Sequence, residues 1–482
     1  MIRRFLLVVF FSLLAFSPVS AQESPVVTPS KPPANDLITP VDSKPITLDE
    51  ALQRRLKVIG RPARNVILCI ADGLSASALR LTRDVLVGRQ GKLDTDRFPV
   101  VGRVIGFAAD STVNDSAAAA TTLATGKLGL FNKIGVDAAG NPLITIMDLA
   151  RNKGLKTGII SDTRLTHATP AAFAGHVSDR SEEGKLAEQM VFSGIDLLMS
   201  GGRAYFQSSD QGGKQPKGRN LLADAQQQGY RVLQSRQDLV QALSDKSEKV
   251  LGLFADSYLP FSFEADCKST PDLPEMTATA LTLLSASKKG FLLMVEAGQI
   301  DALLHAHDAA EVVEQIREMD ATIRVLQEFV RSHPDTLLVM LPDHPTGGLF
   351  MTGQFREDTF RQSAVSTKML AQRIGENPSS LAAELKKSYP ALTFSAEELA
   401  TLKPEKKDEE FELRLGDLVW GKLGIGFMDT QTQMTRSETS GHGCDDQFLH
   451  AMGAHQTLFQ GVMNLTDVPK RIAAALGLGD LR

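Results

Sequence analysis

Three carboxylates in this sequence each stand just past a short apolar run. Asp72 follows Val66–Ile70, Glu296 follows Phe291–Val295, and Asp343 follows Leu337–Leu341. If those runs are parallel strands, the three acids share the sheet edge where open α/β sheets bind ligands. One such acid alone is an ordinary helix cap or surface charge; three together point to bound cations. Imidazoles extend the set. Asp301 and His305 are four apart, and on a helix they share one face. Asp343-His344 is a consecutive pair at a strand end, where successive side chains point to opposite sides and can reach two neighbouring ions. His442 sits in Ser440-Gly441-His442-Gly443, a loop able to carry a ligand inward. Carboxylate and imidazole without paired cysteines form the donor set of catalytic zinc. Taken alone, Asp301 and His305 read as a solvated helix pair.

A nucleophile of a particular kind accompanies these ligands. Asp115-Ser116 precedes Ala117–Ala120, Thr121 and Thr122, a small-residue stretch that begins like a tightly packed helix. A serine there faces unpaired backbone N–H groups and the positive end of the helix dipole, an anion site. Locally, an N-cap serine explains it equally well. No Gly-x-Ser-x-Gly elbow occurs, so an ester-hydrolase triad is poorly supported.

These residues need a scaffold, and the chain carries the pattern of one. Asn65–Ile70, Lys156–Ser161, Lys249–Phe254, Gly290–Val295 and Thr336–Leu341 are short apolar runs separated by helical stretches. In Asp308–Val330 the residues Val312, Ile316, Met319, Ile323, Leu326 and Val330 recur at steps of three or four, the helical period. The alternation predicts an α/β fold, a three-layer sandwich with a large, mostly parallel central sheet. Residues 350–436 break the rhythm. They are polar, include the charged tract Lys403–Glu410, and read as an insertion near the C-terminal third.

Composition narrows the class further. The 482 residues are 43% hydrophobic and 23% charged, which excludes collagen-like, coiled-coil and wholly disordered chains. One Trp, four Tyr and a net charge of −5 leave no footprint for nucleic acid. Residues 1–21 read as a secretory signal, with Arg3 and Arg4 before the apolar run Phe5–Phe16 and small residues at Val19-Ser20-Ala21. A run of 12 is too short to span a bilayer, so no stable membrane anchor is expected. Cleavage after Ala21 removes Arg3 and Arg4, taking the net charge from −5 to −7. Residues 22–45, with six prolines, read as part of an exported tether and linker over 22–59, followed by a catalytic domain over 60–482. Periplasmic or secreted localisation follows. Cys69, Cys267 and Cys444 permit at most one disulfide, and the sequence does not choose among the three pairings.

The segments that carry the chemistry resemble those of the alkaline phosphatase family. NVILCIADG (Asn65–Gly73), DSAAAATTLATG (Asp115–Gly126), THATPAAFAGHVSDR (Thr166–Arg180), EAGQIDALLH (Glu296–His305) and DHPTGG (Asp343–Gly348) match its signatures in order. LGLFA (Leu251–Ala255), GIG (Gly424–Gly426) and the late His442 do the same, so the resemblance spans about residues 60–475.

The resemblance implies two zinc ions and one magnesium ion. Asp301, His305 and His442 would hold the first zinc, and Asp343, His344 and Asp72 the second, beside Ser116. Asp72, Thr169 and Glu296 would hold magnesium, with His167 one step behind. Ser116 would be the nucleophile, forming a phosphoseryl intermediate. Arg180 would clamp phosphate oxygens with a planar fork that lysine lacks. Two ions about 4 Å apart suit an in-line displacement, so no general-base histidine beside Ser116 is required. The implied partners are small phosphate monoesters, inorganic phosphate and a second copy of the chain. Two departures stand out. Thr346 replaces a histidine common in relatives, which predicts weaker support of Asp343 and His344, and Ala302 follows Asp301 in place of a basic residue. A phosphodiesterase of the same superfamily, or a weakly active phosphate- or metal-binding relative, are the alternatives. A sulfatase is disfavoured, because Cys/Ser-x-Pro-x-Arg is absent around Ser116.

Overall fold

The apolar runs are strands, and their pairing explains their composition. The computed structural model describes residues 61–263, 269–362, 365–402, 410–428 and 441–478, which fall in one compact unit. The expected leader and tether over 1–59, Cys267 and most of the charged tract near 403–410 lie outside the described residues. The strands are β1 (Asn65–Ala71), β2 (Val100–Ile105), β3 (Lys156–Arg164), β4 (Leu197–Gly201), β5 (Arg231–Leu233), β6 (Val250–Leu253), β7 (Phe291–Ala297), β8 (Thr336–Pro342), β9 (Phe350–Met351), β10 (Ile425–Gly426), β11 (Gln447–Gly453) and β12 (Gly461–Asn464). Ten of them form one sheet in the order β12-β2-β11-β8-β1-β7-β3-β4-β6-β5. Only β11 runs against its neighbours, β2 and β8.

β1 lies between β7 and β8, and all of its residues are buried. A strand covered on both faces is apolar without alternation. Its side chains still divide by period. Ile67, Cys69 and Ala71 join one core cluster, while Val66, Leu68 and Ile70 join the other. The two clusters are the two helix–sheet interfaces of a three-layer α/β sandwich, the expected fold class. β2 is different: Val101, Arg103 and Ile105 are exposed and alternate with buried Val100, Gly102 and Val104.

Residues 350–428 are richer in helix than their polarity suggests. The helices Glu357–Gln362, Thr367–Glu376, Leu381–Ser388, Ala396–Thr401 and Phe411–Gly421 lie between β9 and β10. Their buried Phe360, Tyr389 and Trp420 belong to the same core cluster as one face of β1. Arg361 donates to the carbonyls of Asp84 and Val85 at 2.9 and 2.7 Å, tying this segment to the helix Ala76–Val87.

Candidate active site

Register puts the three acids side by side. Ala71 pairs with Ala297 of β7 and Pro342 of β8, so Asp72, Glu296 and Asp343 meet at the C-terminal ends of three adjacent parallel strands. Gly73 turns the chain there with φ +73°, and a Cβ on it would sit 2.7 Å from Asp301 Cα. Only glycine combines that φ with so close an approach. Asp72 and Glu296 are fully buried.

Around them the imidazoles converge. His305 Nε2 is 3.4 Å from Asp301 Oδ1 and 3.1 Å from His442 Nε2. His442 Nε2 is 3.8 Å from Asp301 Oδ1. His344 Nε2 is 3.3 Å from Asp343 Oδ2 and 3.5 Å from Asp72 Oδ1. His442 Nδ1 lies 3.0 Å from the carbonyl of Asn114. A carbonyl only accepts, so Nδ1 carries the proton and Nε2 offers its lone pair to the site. His344 is oriented likewise. Thr346 Oγ1 donates to Asp301 Oδ1 at 2.6 Å, so its oxygen is left to accept from His344 Nδ1 at 3.2 Å. Thr346 therefore ties Asp301 and His344 together.

Ser116 begins the helix Ser116–Thr125, whose ten residues are all buried. Alanines and threonines are small enough for that close packing. Asp115 caps this helix by accepting from Ala118 N–H at 2.9 Å, and its other oxygen accepts from Arg180 Nη1 at 3.1 Å. One residue thus seats the helix that Ser116 begins and the guanidinium of Arg180. Ser116 Oγ lies 3.3 Å from His344 Nε2 and 3.5 Å from Asp72 Oδ1. Arg180 Nη2 is 3.2 Å from His167 Nε2. A guanidinium cannot accept, so His167 accepts at Nε2 and holds its proton on Nδ1, 3.9 Å from Glu296 Oε1. His167 in this pose orients Arg180 and offers no nitrogen lone pair toward Glu296.

The donor chemistry fits divalent cations. Three groups of potential ligating atoms each lie within 4.8 Å of one another: Asp301 with His344 and His442, Asp72 with Asp343 and His344, and Asp72 with His167 and Glu296, the last of which counts on its carboxylates while His167 is spent on Arg180. Thr169 Oγ1 donates to Asp72 Oδ2 at 3.1 Å, beside the last group. Asp343 Oδ2 and Glu296 Oε1 are buried without a hydrogen-bond partner, which proteins avoid unless something else completes the site. Glu296 uses only Oε2, which accepts from Ser161 and, at 3.1 Å, from Thr163.

Electrostatics agree. Burial, with the nearby Asp301 charge, pushes the Asp343 carboxyl up to about 8. Burial and the charges of Asp343, Asp301 and Glu296 raise Asp72 well above the usual carboxylate range. Burial also works on Asp301, but the imidazoles of His305, His344 and His442 outweigh it and hold Asp301 low. Burial keeps His344 and His442 below ordinary histidine. Crowded carboxyls raised above their ordinary range, beside imidazoles depressed by burial, are an arrangement that bound cations would relieve.

Asp72, Ser116, His167, Thr169, Arg180, Glu296, Asp301, His305, Asp343, His344 and His442 are brought together in this one cluster. Reading the sequence did not find the supporting residues Asn114, Ser161 and Thr163, whose contacts come from folding alone. Cys444 is an exposed free thiol and Cys69 a buried one.

Comparison with known proteins agrees with the geometry. The family model described as alkaline phosphatase matches residues 63–478. Alkaline phosphatase 4 of Bacillus subtilis is 28% identical over 436 residues, covering 86% of this chain and 89% of that protein. Alkaline phosphatase of Escherichia coli K12 is 28% identical over 69% of this chain and 81% of its own length. Among solved structures, the cold-active alkaline phosphatase of a psychrophilic Shewanella superposes with a TM-score of 0.74 at 29% identity, covering 86% of this chain and 99% of that one.

Proposed function

This chain belongs to the alkaline phosphatase family, and from that premise we propose that it hydrolyses phosphate monoesters through a phosphoseryl intermediate on Ser116. The observation that carries the reading is the position of Ser116 Oγ, within 3.5 Å of both His344 Nε2 and Asp72 Oδ1. Asp301, His305 and His442 would hold one zinc, Asp343, His344 and Asp72 a second, and Asp72, Thr169 and Glu296 a magnesium ion. Such ions lower the pKa of a nearby hydroxyl or water and neutralise charge on the departing oxygen.

The chain's own residues supply the rest. Ser116 Oγ forms the bond to phosphorus in line with the ester oxygen, whose bond breaks and which leaves as an alcohol after gaining a proton. Water then cleaves the phosphoserine, returning the serine hydroxyl and releasing inorganic phosphate. Arg180, held by Asp115 and His167, presents two donors to non-bridging oxygens. A monoester offers more such oxygens than a diester, which favours monoesters as the substrate class. Hydrolysis of an aryl phosphate monoester and diester, with metal analysis of the same protein, tests the reading. A diester turned over faster than the monoester would sink it.

Arg180→Lys is expected to weaken inhibition by inorganic phosphate by about 1–3 kcal/mol, the range for a lost charge-assisted hydrogen bond. Unchanged phosphate inhibition in this variant would remove Arg180 from the substrate site.

The leader-like residues 1–21 support export to the periplasm or the medium, with cleavage after Ala21. None of the described helices is long and apolar enough to cross a membrane. A homodimer is the proposed assembly. Its support is an exposed row across three strands, in which Phe448 of β11 and Val462 of β12 flank Arg103 of β2, with Val101 and Ile105 on the same face. Large apolar side chains exposed together on one sheet face are a feature of interfaces, and sedimentation of the purified enzyme tests it.

A further inference from the structure

The helix Gln299–His305 ends in a way that its sequence does not favour. Asp308 N–H donates to the carbonyl of Leu303 at 3.0 Å, and His307 N–H to that of Leu304 at 3.3 Å. These are the paired bonds of a helix stop whose closing residue turns left-handed. That residue is His307, at φ +51°. Glycine holds such a position most often and asparagine sometimes, because a Cβ there crowds the neighbouring carbonyl. A histidine kept in this conformation needs surroundings that fix it.

Those surroundings come from residues 410–428. His307 is fully buried, and its Nδ1 donates to Asp417 Oδ1 at 2.7 Å, since an ionised carboxylate only accepts. Its ring stacks on Phe427, with centroids 4.4 Å and planes 5° apart. Gly416 stands one residue before Asp417 on the helix Phe411–Gly421 and is pressed against the same turn. A Cβ on Gly416 would lie 2.5 Å from the His307 carbonyl oxygen. Phe427 is itself held in place, because Met428 N–H beside it donates to the carbonyl of Gly347 at 3.1 Å.

We infer that His307 is a positioning residue for His305, and that Asp417 and Phe427 act on the metal group of Asp301, His305 and His442 through it. His305 is the last residue of its helix, with a side chain 29% exposed, and helix ends fray. A ring bonded and stacked two residues further on stops that fraying and fixes the direction in which the imidazole of His305 points. The left-handed conformation is what brings the ring of His307 to Asp417 and Phe427. The inference rests on the reading above, in which Asp301, His305 and His442 hold one of two zinc ions.

Zinc release from the zinc- and magnesium-loaded enzyme to a colorimetric chelator at stepped concentrations tests it. His307→Gly keeps the turn, since glycine takes that φ freely, and removes only the imidazole. It should weaken one of the two zinc ions about tenfold or more, the scale for groups that orient metal ligands, and leave the other as in the wild type. Asp417→Ala, on a helix that tolerates alanine, should weaken the same ion. The double variant should lose no more than His307→Gly alone, because the two residues act through one bond. A merely structural role would lower the thermal midpoint and loosen both ions alike, or neither. Either of those results, or losses that simply add in the double variant, overturns the proposal. A wild type that binds no zinc removes the metal reading itself, and the proposal with it.

Discussion

Ser116→Ala is expected to cut turnover by about 10³-fold or more, the scale seen when a covalent nucleophile is deleted, while metal content stays nearly unchanged. The reason is geometric. Ser116 Oγ sits at hydrogen-bond range from His344 and Asp72, but none of the three groups of carboxylates and imidazoles able to hold ions includes it. The helix should survive as well, because Asp115 provides its cap and alanine is a better helix former than serine. Residual activity would report what Arg180 and the bound ions achieve with water alone as nucleophile. Acid quenching in labelled phosphate should give a phosphoserine in the wild type and none in the variant. A variant that labels at another residue, or turns over at the wild-type rate, refutes the assignment of Ser116.

Much of this site was legible because its residues fall at strand ends, where both the apolar run and the acid after it stand out. β1, β7 and β8 are buried on both faces and read as continuous apolar runs. The helix Ala309–Ser332 was equally plain from its period. β2 and β11 were not visible. Gly102 and Arg103 interrupt one, and Gln447 and His450 interrupt the other, where a strand with one face outward admits polar residues. Residues 350–428 looked polar because their helices show charge outward and bury only sparse apolar anchors such as Phe360, Tyr389 and Trp420. Tertiary bridges were beyond reach altogether. That Thr346 connects Asp301 to His344 depends on two segments 45 residues apart meeting, and nothing in DHPTGG signals it.

The same cluster dictates how the protein should respond to metal removal and pH. Dialysis against a chelator at neutral pH is expected to abolish turnover, and zinc with magnesium to restore it, since the buried carboxylates have no other counter-charge of comparable reach. The metal-free protein should then show a pH dependence of its own. Asp343 is pushed up to about 8 and Asp72 well above its ordinary value, so at neutral pH the folded state holds protons that the unfolded chain has released. Where the folded state binds more protons than the unfolded one, stability falls as pH rises. His344 and His442 are lowered by burial, so they oppose this only below about 6.5, where unfolded histidines take up protons. Between about pH 6.5 and 8 the carboxyl effect acts alone. Metal-free protein should therefore unfold at lower temperature at pH 8 than at pH 6.5. Zinc must expel the same protons on binding, so its apparent affinity should climb across that window and proton release should accompany uptake. Acid reverses the gain by a second route, because a protonated imidazole cannot ligate a metal. Thermal scans of stripped and zinc-loaded protein at the two pH values separate these effects. A metal-free midpoint that stays level or rises toward pH 8, or activity that survives exhaustive chelation in protein verified to be metal-free, contradicts a cation-dependent centre.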